Sequence, residues 1–154
     1  MSANIFNSIR VPKVGTNVFD LSHDVKMSLN MGQLVPVFWE EAVPGDTFHI
    51  TPEVLLRFSP MLSPVMHKID VIIHTFFVPN RIIWPNWEKF ITSQDDDAPS
   101  APYLSDTTVD PGMLADYLGL LTGESIDMAS ALPFAAYQKI YNEYYRDLYR
   151  DWET

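Results

Sequence analysis

The stretch HKIDVIIHTFFV, residues 67–78, is the one on which a fold assignment turns. Ile69, Val71, Ile73, Thr75 and Phe77 recur at a spacing of two and form a nearly complete apolar row. Lys68, Asp70, Ile72, His74, Phe76 and Val78 fall between them, polar at first and apolar later. Side chains alternate across a strand, so this pattern predicts a β-strand with Ile69, Val71, Ile73 and Phe77 buried on one face. Pro79-Asn80 ends it.

Working toward the N-terminus, Ser59-Pro60 and Ser63-Pro64 punctuate a connection, and Thr47–Ile50 and Val54–Phe58 read as strand segments split by Pro52. Val43-Pro44-Gly45-Asp46 is a strong turn signal: proline fixes one φ near −65° and glycine accepts a positive one. Leu34 to Trp39 suits a buried strand, with Pro36 favouring an edge or a strand start. Residues 34–92 are thus the expected β part. Residues 1–33 read as an extended arm broken by Pro12, Gly15 and Gly32. Within it Val25, Met27 and Leu29 alternate with Lys26 and Ser28 like a short half-covered strand.

Toward the C-terminus, residues 80–92 suggest a strand end and then a short helix from about Pro85. Residues 93–132 read as a loop and short helix insertion, with Asp95-Asp96-Asp97, Pro99, Pro102 and Pro111-Gly112, and a helix over 113–121. Asp110-Pro111 supplies cap and first-turn residues for that helix. Residues 133–154 form an aromatic helix. Phe134, Tyr137, Tyr141, Tyr144 and Leu148 recur at three and four and trace one covered stripe. The other tyrosines fall outside that stripe, so the residues alone suit a core and a subunit interface equally well. The expected fold class is mainly β with a helical C-terminal segment.

The composition narrows the function. Charged residues make up only 19% of the chain and hydrophobic ones 47%, a globular balance. The net charge of −10 opposes phosphate contact, which argues against direct DNA binding by this segment. Cysteine is absent, so disulfide and thiolate chemistry is excluded. The first twenty residues lack the apolar core of a signal peptide, and the run Val71–Val78 is too short to span a bilayer. The expectation is a soluble protein used without export or membrane contact.

Candidate chemistry is thin. His67 and His74 lie seven apart on one strand and point to opposite faces. Asp70 and His74 share a face but make only two ligands. His23 and His49 stand alone. Glu40 and Glu41 are adjacent, hence on opposite faces of a strand and unsuited to acid–base work. Asp95-Asp96-Asp97 lacks the spacing and turn glycine of a calcium loop. Glu143, Asp147 and Asp151 make an acidic helix strip offset by Arg146 and Arg150. No nucleophile elbow or phosphate loop is present. The reading is therefore of no enzyme, with no catalytic residues, no cofactor and no metal.

Longer runs are more specific than any of these. FDLSHDVKMSLNMGQLVPVFWEEAVPGDTF (residues 19–48), FSPMLSPVMHKIDVIIHTFFVPNRIIWPNWEKFIT (58–92) and LPFAAYQKIYNEYYRD (132–147) resemble the N-terminal part of the major capsid proteins of gokushoviruses, in the microvirus family of bacteriophages. That resemblance implies a viral jelly-roll β-sandwich, of which this chain would hold a part. It implies assembly with other copies of itself and with other phage structural proteins into a small icosahedral capsid. Packaged single-stranded DNA would be an indirect partner, neutralised by a separate small basic protein. Such a chain would be assembled in the bacterial cytoplasm and reside in the virion.

Capsid proteins of that family are several times longer. The chain is therefore expected either to be truncated or to have its remaining strands supplied separately, and not to close a jelly roll alone. The competing reading is a β-sandwich binding module whose exposed aromatics hold a carbohydrate or host receptor.

Overall fold

Prolines and glycines set the local structure of the long N-terminal part. The computed structural model describes residues 15–92, 99–105, 107–123, 125–126 and 128–146. At Val43–Asp46 the Asp46 amide donates to Val43 O at 3.0 Å and Gly45 takes a φ of 99°. The Asp46 carboxylate closes the same turn by accepting from the Val43 amide at 2.9 Å. This is the turn that the Pro-Gly pair predicts. A second one forms at Asn30–Gln33, where Gly32 has a φ of 80° and the Gln33 amide reaches Asn30 O at 3.2 Å.

Between these turns and Pro79 the chain does not build a sheet. The expectation of a mainly β fold containing part of a jelly-roll sandwich is overturned. Leu34–Trp39, Thr47–Phe58 and His67–Val78, expected as strands, pair with no strand among the described residues, and the same is true of Val25–Leu29. Among the described residues no backbone–backbone hydrogen bond involves residues 47–78. The apolar row is correspondingly open: Val71 is 51%, Ile73 43% and Phe77 79% exposed, and only Ile69 is partly covered. A period of two records which face a strand would bury. Pairing needs a partner, and none of the described residues supplies one to residues 67–78.

Helices begin at Pro79. Helix α1, Asn80–Ile83, starts directly after that proline and stops at Trp84, whose extended φ and ψ of −130° and 110° suit a residue preceding a proline. Helix α2, Trp87–Thr92, follows Pro85-Asn86, close to where the sequence placed it. Residue 80 onward is thus helical where a strand end was expected. Trp84, Trp87 and Phe90 pack their rings together at centroid distances of 5.4 to 6.4 Å and fasten the two short helices.

The β structure that does form lies in the region read as loop. Strand β1, Tyr103–Leu104, pairs antiparallel with β4, Ala129–Ser130, and β2, Thr107–Thr108, with β3, Ser125–Ile126. Tyr103 faces Ser130, Leu104 faces Ala129, Thr107 faces Ile126 and Thr108 faces Ser125. Each step forward on one side is matched by a step back on the other. The two pairs therefore keep one register and read as a single ribbon interrupted in its middle, where Met128 adopts a φ of 64°.

The ribbon encloses helix α3, Leu114–Tyr117, which is shorter than expected. Gly112 N donates to the Asp116 carboxylate at 2.8 Å at its start, and Gly119, with a φ of 89°, follows its end. Val109 and Leu118, the two buried hydrophobic residues among those described, sit here, and the Gly123 amide closes on Val109 O at 3.0 Å.

Helix α4, Leu132–Ile140, carries Pro133 in its first turn, where the missing N–H costs nothing, and packs on α1. Its continuation, Tyr141–Tyr145, is a π turn and not more α-helix. The Arg146 amide bonds back five residues to Tyr141 O at 2.9 Å. The expected α-helical stripe through Tyr144 therefore fails at its end, and Leu148 lies outside the described residues.

Candidate assembly surface

Three aromatic side chains bind the irregular N-terminal part to the ribbon and helices, all by donating to main-chain carbonyls. Trp39 Nε1 donates to Leu118 O at 3.1 Å, the Tyr117 hydroxyl to Ser28 O at 2.8 Å, and the Tyr137 hydroxyl to Leu34 O at 2.9 Å. Tyrosine and tryptophan suit this work, since an apolar ring covers surface while one polar atom reaches a carbonyl left over by an unpaired backbone. A cleft lies between residues 25–28 and 37–39 on one wall and residues 111–119 on the other. Burial, and then the neighbouring Tyr141, hold the Tyr137 phenol above its ordinary pKa.

A fourth fastening joins the end of the expected strand to the helix end. The Tyr145 hydroxyl is hydrogen-bonded to His74 Nδ1, and the two rings stack at 5.9 Å with an interplanar angle of 18°. Phe76 packs on Tyr144 at 4.8 Å and meets Tyr145 edge-on at 6.2 Å.

The residues weighed for chemistry scatter. His23 Nδ1 lies 2.8 Å from Leu21 O and its ring packs on Phe38, while His49 and His67 are exposed. Asp70 pairs with Lys68 at 2.8 Å, and not with His74. Glu40 and Glu41 lie exposed, and Glu143 pairs with Lys139 at 3.3 Å. Asp95, Asp96, Asp97, Asp147, Arg150 and Asp151 lie outside the described residues. Asp20 accepts from the Ser22 amide at 3.0 Å, and hydrogen bonds from the Ser22 side chain and backbone hold its carboxyl below the usual range. Among the described residues no group of three or more His, Asp or Glu is placed to hold a metal ion, and no helix is long and apolar enough to cross a membrane.

The arrangement offers instead a very large uncovered surface. The chain exposes 14784 Å², nearly twice the roughly 7,900 Å² expected of a compact chain of its 17.6 kDa. Much of the excess is apolar: Phe19, Val37, Phe38, Trp39, Leu55 and Leu62 are all exposed, as is most of the row at 69–77. Open apolar area on this scale is characteristic of a chain that meets other protein surfaces. The sequence pointed to the row at 69–77 through its period of two, but expected it to be buried on one face of a strand.

Comparison with known proteins defines the class. The family model of the phage capsid protein (F protein) matches residues 8–154, so the chain belongs to that capsid protein family. The chain is 36% identical over 94% of its length to capsid protein VP1 of Chlamydia phage 1, and 34% identical over 90% to capsid protein VP1 of Bdellovibrio phage phiMH2K. It is also 28% identical over 86% of its length to capsid protein F of Escherichia phage G4. It spans about a quarter of the length of the two VP1 relatives, 26% and 27%, and 30% of the F protein.

Proposed function

We propose that the chain is a structural component of the icosahedral capsid of a small single-stranded-DNA bacteriophage of the gokushovirus branch, acting by assembly and not by catalysis. The observation that carries this reading is the family match over residues 8–154, combined with an apolar surface that has no cover among the described residues. Its partners are other copies of the capsid protein and other phage structural proteins, with the packaged DNA an indirect one. Its place is the virion. The organisation proposed is an N-terminal arm at 1–33, an assembly-facing stretch at 34–92, an insertion at 93–132 and an aromatic segment at 133–154.

The test is purification of phage particles from the host, followed by peptide mass mapping of the shell. Peptides from residues 15–92 in stoichiometric amount with the shell support the proposal. Purified infectious particles that lack them refute it.

A further inference from the structure

We infer that the π turn at Tyr141–Tyr145 is a register switch, in which two adjacent tyrosines compete for one place against His74. The geometry of the helix carries the inference. Seven residues make close to two α turns, so in an unbroken α-helix Tyr144 would stand on the same face as Tyr137. Tyr137 is on the covered face, with Phe134 and Ile140 beside it. The π turn inserts one extra residue into the path, shown by the bond from the Arg146 amide to Tyr141 O. That moves the place above Tyr137 from Tyr144 to Tyr145. Burial follows the shift: Tyr145 is partly covered against His74, whereas Tyr144 is 64% exposed beside Phe76.

The local sequence does not demand the π register. Gln138 bonds Asn142 at 3.2 Å and Lys139 pairs with Glu143, both at the four-residue spacing of an ordinary α-helix. No glycine or proline lies within residues 134–146 to force a bulge. What distinguishes the π register is the Tyr145–His74 contact, the stacking and hydrogen bond at once. Because residue 144 is also a tyrosine, the α register would bring an identical side chain to His74. The Tyr144-Tyr145 doublet thus gives the helix end two closely matched states. They differ in whether Tyr144 is presented outward beside Phe76 or turned in. A surface that engages the exposed Tyr144 beside the half-buried Phe76 favours the π state, and one that leaves Tyr144 free favours the α state.

The test uses the full chain labelled with ¹⁵N-histidine and magic-angle-spinning NMR, which reads sediments and assemblies as well as soluble protein. The His74 Nδ1 resonance, assigned with H74Q, reports whether a hydroxyl occupies that nitrogen. In Y145F the hydrogen-bonded Nδ1 signal is expected to persist, because the helix reverts to the α register and Tyr144 takes the place. In the double variant Y144F/Y145F it is lost, and in Y144F it is unchanged. Loss of the signal in Y145F to the same extent as in the double variant would overturn the proposal. A second variant, deletion of one residue of the doublet, is expected to retain the signal while the five-residue bond disappears and Tyr141 O accepts from the amide four residues on. Loss of the signal on deletion would overturn it as well.

Discussion

At the scale of single residues, the side chains that matter most are those that donate to carbonyls far away in sequence. Tyr137→Phe keeps the ring and removes only the bond to Leu34 O, which should weaken attachment of the N-terminal segment by about 0.5–1.5 kcal/mol. Hydrogen exchange near residues 30–37 should accelerate by up to about tenfold, while exchange in α4 stays unchanged. The same phenol sets a pH limit. Its folded pKa lies above the ordinary value of about 10, so the folded chain holds the proton more tightly than the unfolded one. This contribution is fully present below the ordinary value and is lost as pH rises through the folded one. An alkaline titration of stability should therefore fall in wild type and be flatter in Tyr137→Phe. Equal slopes would remove Tyr137 from the account.

At the scale of elements, the Pro44-Gly45 turn can be tested directly. Gly45 has a φ of 99°, where a Cβ is strained even though nothing crowds it. Gly45→Ala should cost about 1 kcal/mol locally and speed exchange of the Asp46 amide about fivefold. Turns of this kind were legible because proline and glycine dictate dihedrals residue by residue. Helices α2, α3 and α4 were legible for similar reasons, from Pro85, Asp110-Pro111 and Pro133. The strands were not. Period-two patterning at 67–78 described a face in need of cover, and no described segment provides it. Conversely the ribbon strands at Tyr103–Leu104, Thr107–Thr108, Ser125–Ile126 and Ala129–Ser130 hid among aspartates and prolines. Its β-branched Thr107-Thr108-Val109 run was the available signal. The π turn could not be read at all, since it depends on His74, seventy-one residues from its partner.

At the scale of the whole molecule, the prominent property is the open apolar surface. The single substitution Ile73→Asp would be severely destabilising if Ile73 were in a core, but it is 43% exposed here. It should then change the stability of the chain alone by no more than about 0.5 kcal/mol, as exposed substitutions do. In the assembled shell it should abolish particle formation if a neighbouring surface covers residues 69–77. Electron microscopy of particles carrying each version would check this. The chain on its own should aggregate, and uniform spherical shells formed from residues 1–154 alone would contradict the expectation that other segments are needed. With a net charge of −10, gel shifts with single-stranded DNA at physiological salt should show no submicromolar binding.

The single-register ribbon has a consequence for how this protein can vary. Its paired strands act as a stem whose two legs hold the ends of residues 109–123 a fixed distance apart, with Val109 and Gly123 fastened across the base. Extra length at the exposed Leu121–Thr122 segment, next to that base, would not spread those legs. Its entropic cost grows only with the logarithm of loop length, about 0.6 kcal/mol for each doubling. That segment is thus a natural grafting point, where an inserted peptide lengthens the loop while the stem stays the same.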